Sequence, residues 1–75
     1  MLSNFIFSKG ETRISFLNVH SEIDQGSGLI SIALDNGKVF VISENKIKES
    51  VHSDLIDAYE LVDGSKYILE YPKFE

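Results

Sequence analysis

Proton-transfer chemistry near neutral pH would have to run through few side chains in this sequence. It has two histidines, His20 and His52, and no cysteine. Neither histidine has a second histidine at metal-ligand spacing, so a zinc site is not expected. Ser50, His52 and Asp54 contain the residue types of a nucleophile–base–acid relay. They are two apart in sequence, however, and on a helix such residues do not face each other. No nucleophile elbow surrounds any serine. Glu22 and Asp24 are too few, and wrongly spaced, for a calcium loop. Gly26-Ser27-Gly28 is too short for a phosphate cradle and lacks the following lysine and helix. The residues therefore point away from catalysis, with no cofactor and no metal expected.

Charge is more informative. The first 48 residues hold five acids (Glu11, Glu22, Asp24, Asp35, Glu44) and five bases (Lys9, Arg13, Lys38, Lys46, Lys48). The last 27 hold seven acids and two bases, so the net charge of -5 lies there. Residues 49–63 contain Glu49, Asp54, Asp57, Glu60 and Asp63 without a lysine or arginine. Such a run argues against direct nucleic-acid binding, which needs basic residues to neutralise phosphates. It favours a basic protein partner, because an acidic surface can occupy a site built for nucleic acid.

Ile47, Val51, Leu55, Tyr59 and Val62 recur at steps of four, four, four and three, with Ala58 beside Tyr59. This spacing predicts a helix. Ser50 or Ser53 would cap it, and Asp63-Gly64 would end it. Asp54, Asp57 and Glu60 would then share one acidic face away from the apolar stripe. Such a face is either a solvated one that keeps the protein soluble or, since like charges on a helix repel and no counter-charges relieve them here, one whose field is used.

Strands are expected around that helix. Residues 2–8 and 12–19 alternate, and a two-residue turn at Lys9-Gly10 places Phe5, Phe7, Ile14 and Phe16 on one face. Residues 20–28 are polar, hold two glycines and read as the longest loop. Residues 29–34 and 38–43 flank Asn36-Gly37, the pair that favours a type I′ hairpin turn. That turn would set Leu34 opposite Val39 and Ala33 opposite Phe40, leaving Phe40, Ile42 and Leu17 on the other sheet face. Residues 66–71 alternate as a last strand before Pro72. The expectation is one α+β domain of order ββββαβ, a curled antiparallel sheet of about five strands with one helix packed on it. At 75 residues its core is modest, and net stability should be roughly 3–5 kcal/mol. No apolar run is long enough to span a membrane and no cleavable leader is recognisable, so a cytoplasmic location is expected.

The run from Leu29 to Tyr59 resembles the small acidic anti-CRISPR proteins of phages that inhibit type II-A Cas9. The shared features are an apolar strand, a tight Asx-Gly hairpin loop and a strand ending Val41-Ile42-Ser43-Glu44. After a polar spacer come Glu49-Ser50-Val51, Leu55-Ile56 and Ala58-Tyr59 on a helix. The resemblance implies a DNA mimic whose loop Asp35, Asn36 and Gly37 enters a basic cleft that normally reads duplex DNA. The partner-binding residues expected are Asp35, Asn36, Gly37, Glu49, Asp54, Asp57, Glu60 and Asp63. The partner would be a Cas nuclease or another nucleic-acid enzyme, met by a monomer or dimer. The alternative is a small interaction module that forms a homo- or hetero-oligomer through its second sheet face.

Overall fold

The predicted helix does not form. The computed structural model describes residues 2–72, and its one helical piece is a single 3-10 turn at Glu44–Lys46. Seven strands make up the rest: β1 (Leu2–Lys9), β2 (Thr12–Gly26), β3 (Leu29–Leu34), β4 (Val39–Ser43), β5 (Ile47–His52), β6 (Ile56–Leu61) and β7 (Lys66–Glu70). All pairings are antiparallel, in the order β4-β3-β2-β1-β7-β6-β5. The fold is therefore all-β, not α+β. Lys73 and Glu75 of the charge count lie outside the described residues.

Segment 47–61 forms the hairpin β5–β6 for a physical reason. A spacing of four is close to one helical turn but is also two strand repeats, so the stripe fits both periods. β-Branched Ile47, Val51 and Ile56 and the serines Ser50 and Ser53 are mediocre helix formers, and branched residues pack well on a pleated surface. The expected apolar stripe is largely wet. Val51, Leu55 and Val62 are 55%, 53% and 63% exposed, whereas Tyr59 is buried.

The expected loop at 20–28 is mostly strand as well, because β2 runs through to Gly26. Its first part pairs with β1 and its second part, from Ser21, pairs with β3. A bulge lies between, where the β1 register shifts from Ser3↔Val19 to Phe5↔Phe16. There Asn18 takes φ 56°, a conformation asparagine tolerates better than most residues. Its amide donates to Asn4 Oδ1 at 3.0 Å. A bulge bends its strand, and here it lets β2 pass from one layer to the other. The layers are β5-β6-β7-β1 with the start of β2, and the end of β2 with β3 and β4.

Turn chemistry sets the registers. Ser27 and Gly28 both have positive φ, as a type I′ turn requires between Gly26 and Leu29. The first hairpin turns at Gly10-Glu11, one residue later than expected, and pairs Phe7 with Ile14 and Phe5 with Phe16. This register differs from the expected one by two residues, which leaves every side chain on its face.

The second hairpin differs by one, and the consequence is larger. Asp35-Asn36-Gly37 is a three-residue loop: Leu34 N–H donates to the Lys38 carbonyl at 2.9 Å and Gly37 N–H to the Leu34 carbonyl at 3.1 Å. Only Gly37 has positive φ, at 89°, the pattern of a type I turn closed by a glycine bulge. Ile32 therefore lies opposite Phe40, and Ala33 opposite Val39. Phe40 and Ile42 turn inward, not outward as expected. Val62-Asp63-Gly64 repeats the device between β6 and β7, with matching bonds from Leu61 to Ser65 and from Gly64 to Leu61. Gly64 is thus a hairpin residue and not a helix terminus. Replacing Gly37 by alanine meets no atom within 4 Å, so its cost is that of the left-handed backbone, about 1–2 kcal/mol. Gly37→Ala should lower the melting temperature by about 4–8 °C per kcal/mol; an unchanged thermal melt would show that the loop adopts another turn.

The core lies between the layers. Phe5, Ile32, Ile42 and Leu69 are at most 2% exposed, with Val19, Ile30, Leu34, Tyr59 and Leu61 around them. Phe5 stacks on Phe40 with ring centroids 4.4 Å apart, across the two layers. Ser3 and Ser21 are also buried, and satisfy each other with a 2.9 Å hydroxyl contact.

Candidate functional site

At one end the layers part into an open cleft of about 470 Å3, lined by Ile23, Gln25 and Ile30 from one layer and Ser50, His52, Asp57 and Tyr59 from the other. Alternation along β5 and β6 points these side chains inward. His52 and Asp57 are register partners across the hairpin. His52 Nδ1 lies 2.7 Å from Asp57 Oδ1, and the Tyr71 hydroxyl donates to Asp57 Oδ2. The His52 ring meets Tyr59 edge-on at 5.1 Å. Burial, then the hydrogen bond to Asp57 and its negative charge, push the Tyr71 hydroxyl well above the ordinary tyrosine range. Tyr59 is raised by burial first and by Asp57 second.

Ser50 and His52 share one face of a strand, which a helical reading denied them. The acid that meets the histidine is Asp57, not Asp54. No hydrogen bond joins Ser50 to the imidazole among the described residues, so the nucleophile–base contact of a relay is not formed. Nor do three His, Asp or Glu side chains come together to hold a metal ion among those residues.

The expected acidic face is broken up. Asp57 is committed to His52 and Tyr71. Glu60 lies opposite Lys66 and 4.0 Å from Lys48 Nζ. Asp63 accepts from Lys9 Nζ at 3.2 Å and from the Ser65 amide and hydroxyl at 2.9 and 2.6 Å. Glu49 remains exposed on the edge strand, directly across from Glu60. Asp54 is exposed in the β5–β6 turn. In the β3–β4 loop, Asn36 turns its Oδ1 back to accept from the Lys38 amide at 2.9 Å, which leaves Asp35 facing solvent beside Gly37.

Sequence reasoning missed a different acidic surface. On the outer side of the second layer, β2 presents Glu22 and Asp24, and Asp35 follows on the adjoining loop, where its amide donates to the His20 carbonyl at 2.9 Å. All three are exposed. Residues 20–44 contain one lysine, Lys38, and no arginine. The alternation of Ser21, Ile23 and Gln25 with His20, Glu22 and Asp24 was the available signal, obscured by the polar character of both sets.

Asp63 is the most perturbed carboxylate. Hydrogen bonds from Ser65 first, then the Lys9 ammonium, lower it from 3.8 to about 2. A depressed carboxylate stabilises the fold above its unfolded pKa and stops doing so as pH falls through the folded one. The contribution is therefore present above about pH 4 and lost towards pH 2. Asp63→Ala should flatten acid unfolding over that window; an acid limb identical to wild type would assign it to other carboxylates.

The fold and cleft define a small all-β domain of two antiparallel layers sharing one bent strand. No family model, curated protein or solved structure matches the chain. Among the described residues no helix is long and apolar enough to cross a membrane.

Proposed function

We propose that the protein is a non-enzymatic ligand for a basic protein surface, presented with the acidic side of β2 and the Asp35–Gly37 loop. The observation that carries this reading is the group Glu22, Asp24 and Asp35, exposed in a stretch whose one base is Lys38. Exposed Glu49 and Asp54 add charge at the far edge. The partner class is a nucleic-acid-handling protein in the cytoplasm, the host cytoplasm if the chain is phage-encoded. A Cas nuclease follows from the resemblance in its hairpin half alone, since the helical half is absent. The direct test is target-DNA cleavage by a type II-A Cas9 with the protein in stoichiometric excess. Suppression by wild type, lost in E22K/D24K/D35K and weakened by salt, supports the reading. No suppression removes the Cas9 assignment, and suppression unchanged in the triple variant removes the acidic surface.

A second reading, a small interaction module, is favoured by one specific observation. On the outer side of the first layer Val51, Ala58, Ile68 and Ile6 form a continuous cross-strand row. Binding through it would depend little on salt, because apolar burial is barely screened.

A further inference from the structure

The two edge strands of the sheet differ, and the difference points to a second copy of the chain. β5 has features that normally blunt an edge: Lys48, Glu49 and a register irregularity between Ile47 and Glu49. β4, Val-Phe-Val-Ile-Ser, has no charge, no proline and no bulge. The Leu34–Lys38 bond makes that pair hydrogen-bonded, so by alternation Phe40 and Ile42 bond to β3. Val39, Val41 and Ser43 then turn their N–H and C=O groups outward. Among the described residues no backbone group pairs with them. Val39 and Val41 are 59% and 54% exposed.

We propose that β4 pairs antiparallel with β4 of a second copy, with the two-fold axis through Val41. That register sets Val41 against Val41, Val39 against Ser43 of the second copy, and Phe40 against its Ile42. The outward groups would form about six backbone hydrogen bonds between the chains. The ends of the strand decide for self-pairing over an unrelated strand. The same register sets Lys38 against Glu44 of the second copy, twice by symmetry. Lys38 immediately precedes β4, and Glu44 immediately follows it at the start of the 3-10 turn, its carboxylate accepting from Gln25 Nε2 at 2.8 Å, so the two charges flank the paired edge. Any extended apolar segment could satisfy the backbone; the residues flanking the chain's own β4 also bring opposite charges together at both ends. The inference does not depend on either functional reading, because it rests on the edge and not on the acidic surface or the outer apolar row.

The test is the molar mass in solution by light scattering, together with amide exchange. Wild type should rise from 8.4 kDa to twice that mass with concentration. The Val39, Val41 and Ser43 amides should become protected only in the dimer, while Phe40 and Ile42 are protected throughout. Val41→Lys, which sets two ammonium groups across the axis, should be monomeric with an unchanged far-ultraviolet spectrum. Lys38→Glu should weaken the dimer about three- to tenfold by placing like charges opposite, and Lys38→Glu/Glu44→Lys should restore it even if Val41→Lys fails to fold. Val51→Lys, on the outer side of β5, should leave the dimer intact. A monomer at millimolar concentration, open-ended aggregation, or a dimer abolished by Val51→Lys but indifferent to the Lys38 exchange would each overturn the proposal.

Discussion

Phe5→Ala should leave most of the protein unfolded at 25 °C. Phe5 is fully buried and stacks on Phe40 across the layers, with Phe16 and Tyr67 rings within 6.5 Å. Truncating such a ring costs about 3–5 kcal/mol, the transfer energy plus the cavity left behind. A domain of this size has roughly that much net stability in total. The cavity would open where the two layers meet, so little local collapse can refill it. Phe5→Leu keeps most of the volume and should retain a cooperative urea transition at a lower midpoint. If Phe5→Ala gives a transition within about 1 kcal/mol of wild type, the layers are held together elsewhere and the core assigned to Phe5 is wrong.

Asp57→Ala carries the second largest expected effect. One carboxylate accepts from the Tyr71 hydroxyl and meets His52 Nδ1, on a side chain 21% exposed. Removing it strands the half-buried Tyr71 hydroxyl, at about 1–3 kcal/mol, while the exposed His52 nitrogen can turn to water. Asp57→Asn keeps an acceptor for Tyr71 but loses the charge, and should cost less than half as much. The same contact predicts behaviour at alkaline pH. Burial and Asp57 raise the folded pKa of Tyr71, so the neutral phenol is favoured in the folded state. A raised pKa gives stability that is complete below the unfolded value, near pH 10, and declines as pH rises towards the folded one. Asp57→Asn should shrink that alkaline loss and move the Tyr71 phenol back towards the ordinary range in a spectrophotometric titration. An alkaline limb unchanged in this variant would mean that burial alone holds the phenol neutral.

Much of the local structure is legible in the residues themselves. Phe5, Phe7, Ile14 and Phe16 share a face whether the first hairpin turns at Lys9-Gly10 or Gly10-Glu11, because a slip of two preserves the period of a strand. The Asp35–Gly37 loop is equally visible as a turn. Its type is not, because Asn36-Gly37 suits both a two-residue turn and a three-residue loop closed by glycine. That one-residue choice decides whether Phe40 or Val41 enters the core. The helix over 47–62 fails for a related reason. Residues four apart satisfy a helix and a strand alike, and no local count separates the two periods without pairing partners. Residues 20–26 defeat pattern reading from the other side. Gln25 lines the open cleft and Ser21 is buried against Ser3, so two of the three inward residues are polar and show little contrast with the outward ones.

The candidate site divides along the same line. Glu49, Asp54 and Asp35 are solvent-facing, as an acidic surface requires. Asp57, Glu60 and Asp63 are not free: Asp57 meets Tyr71 from beyond β7, Asp63 meets Lys9 from the end of β1, and Glu60 lies 4.0 Å from Lys48 of the neighbouring β5. From its own residues alone, the sequence determines where the chain breaks, through Gly10, Gly28, Gly37 and Gly64, and which side of β1 and of the first half of β2 is apolar. Both are local properties of a few consecutive residues. Tertiary structure alone decides the register of the second hairpin, the corner at Asn18 and which carboxylates keep an unneutralised charge. Each of these depends on which distant backbone and side chain arrive opposite, and ladder pairing, not residue type, determines that.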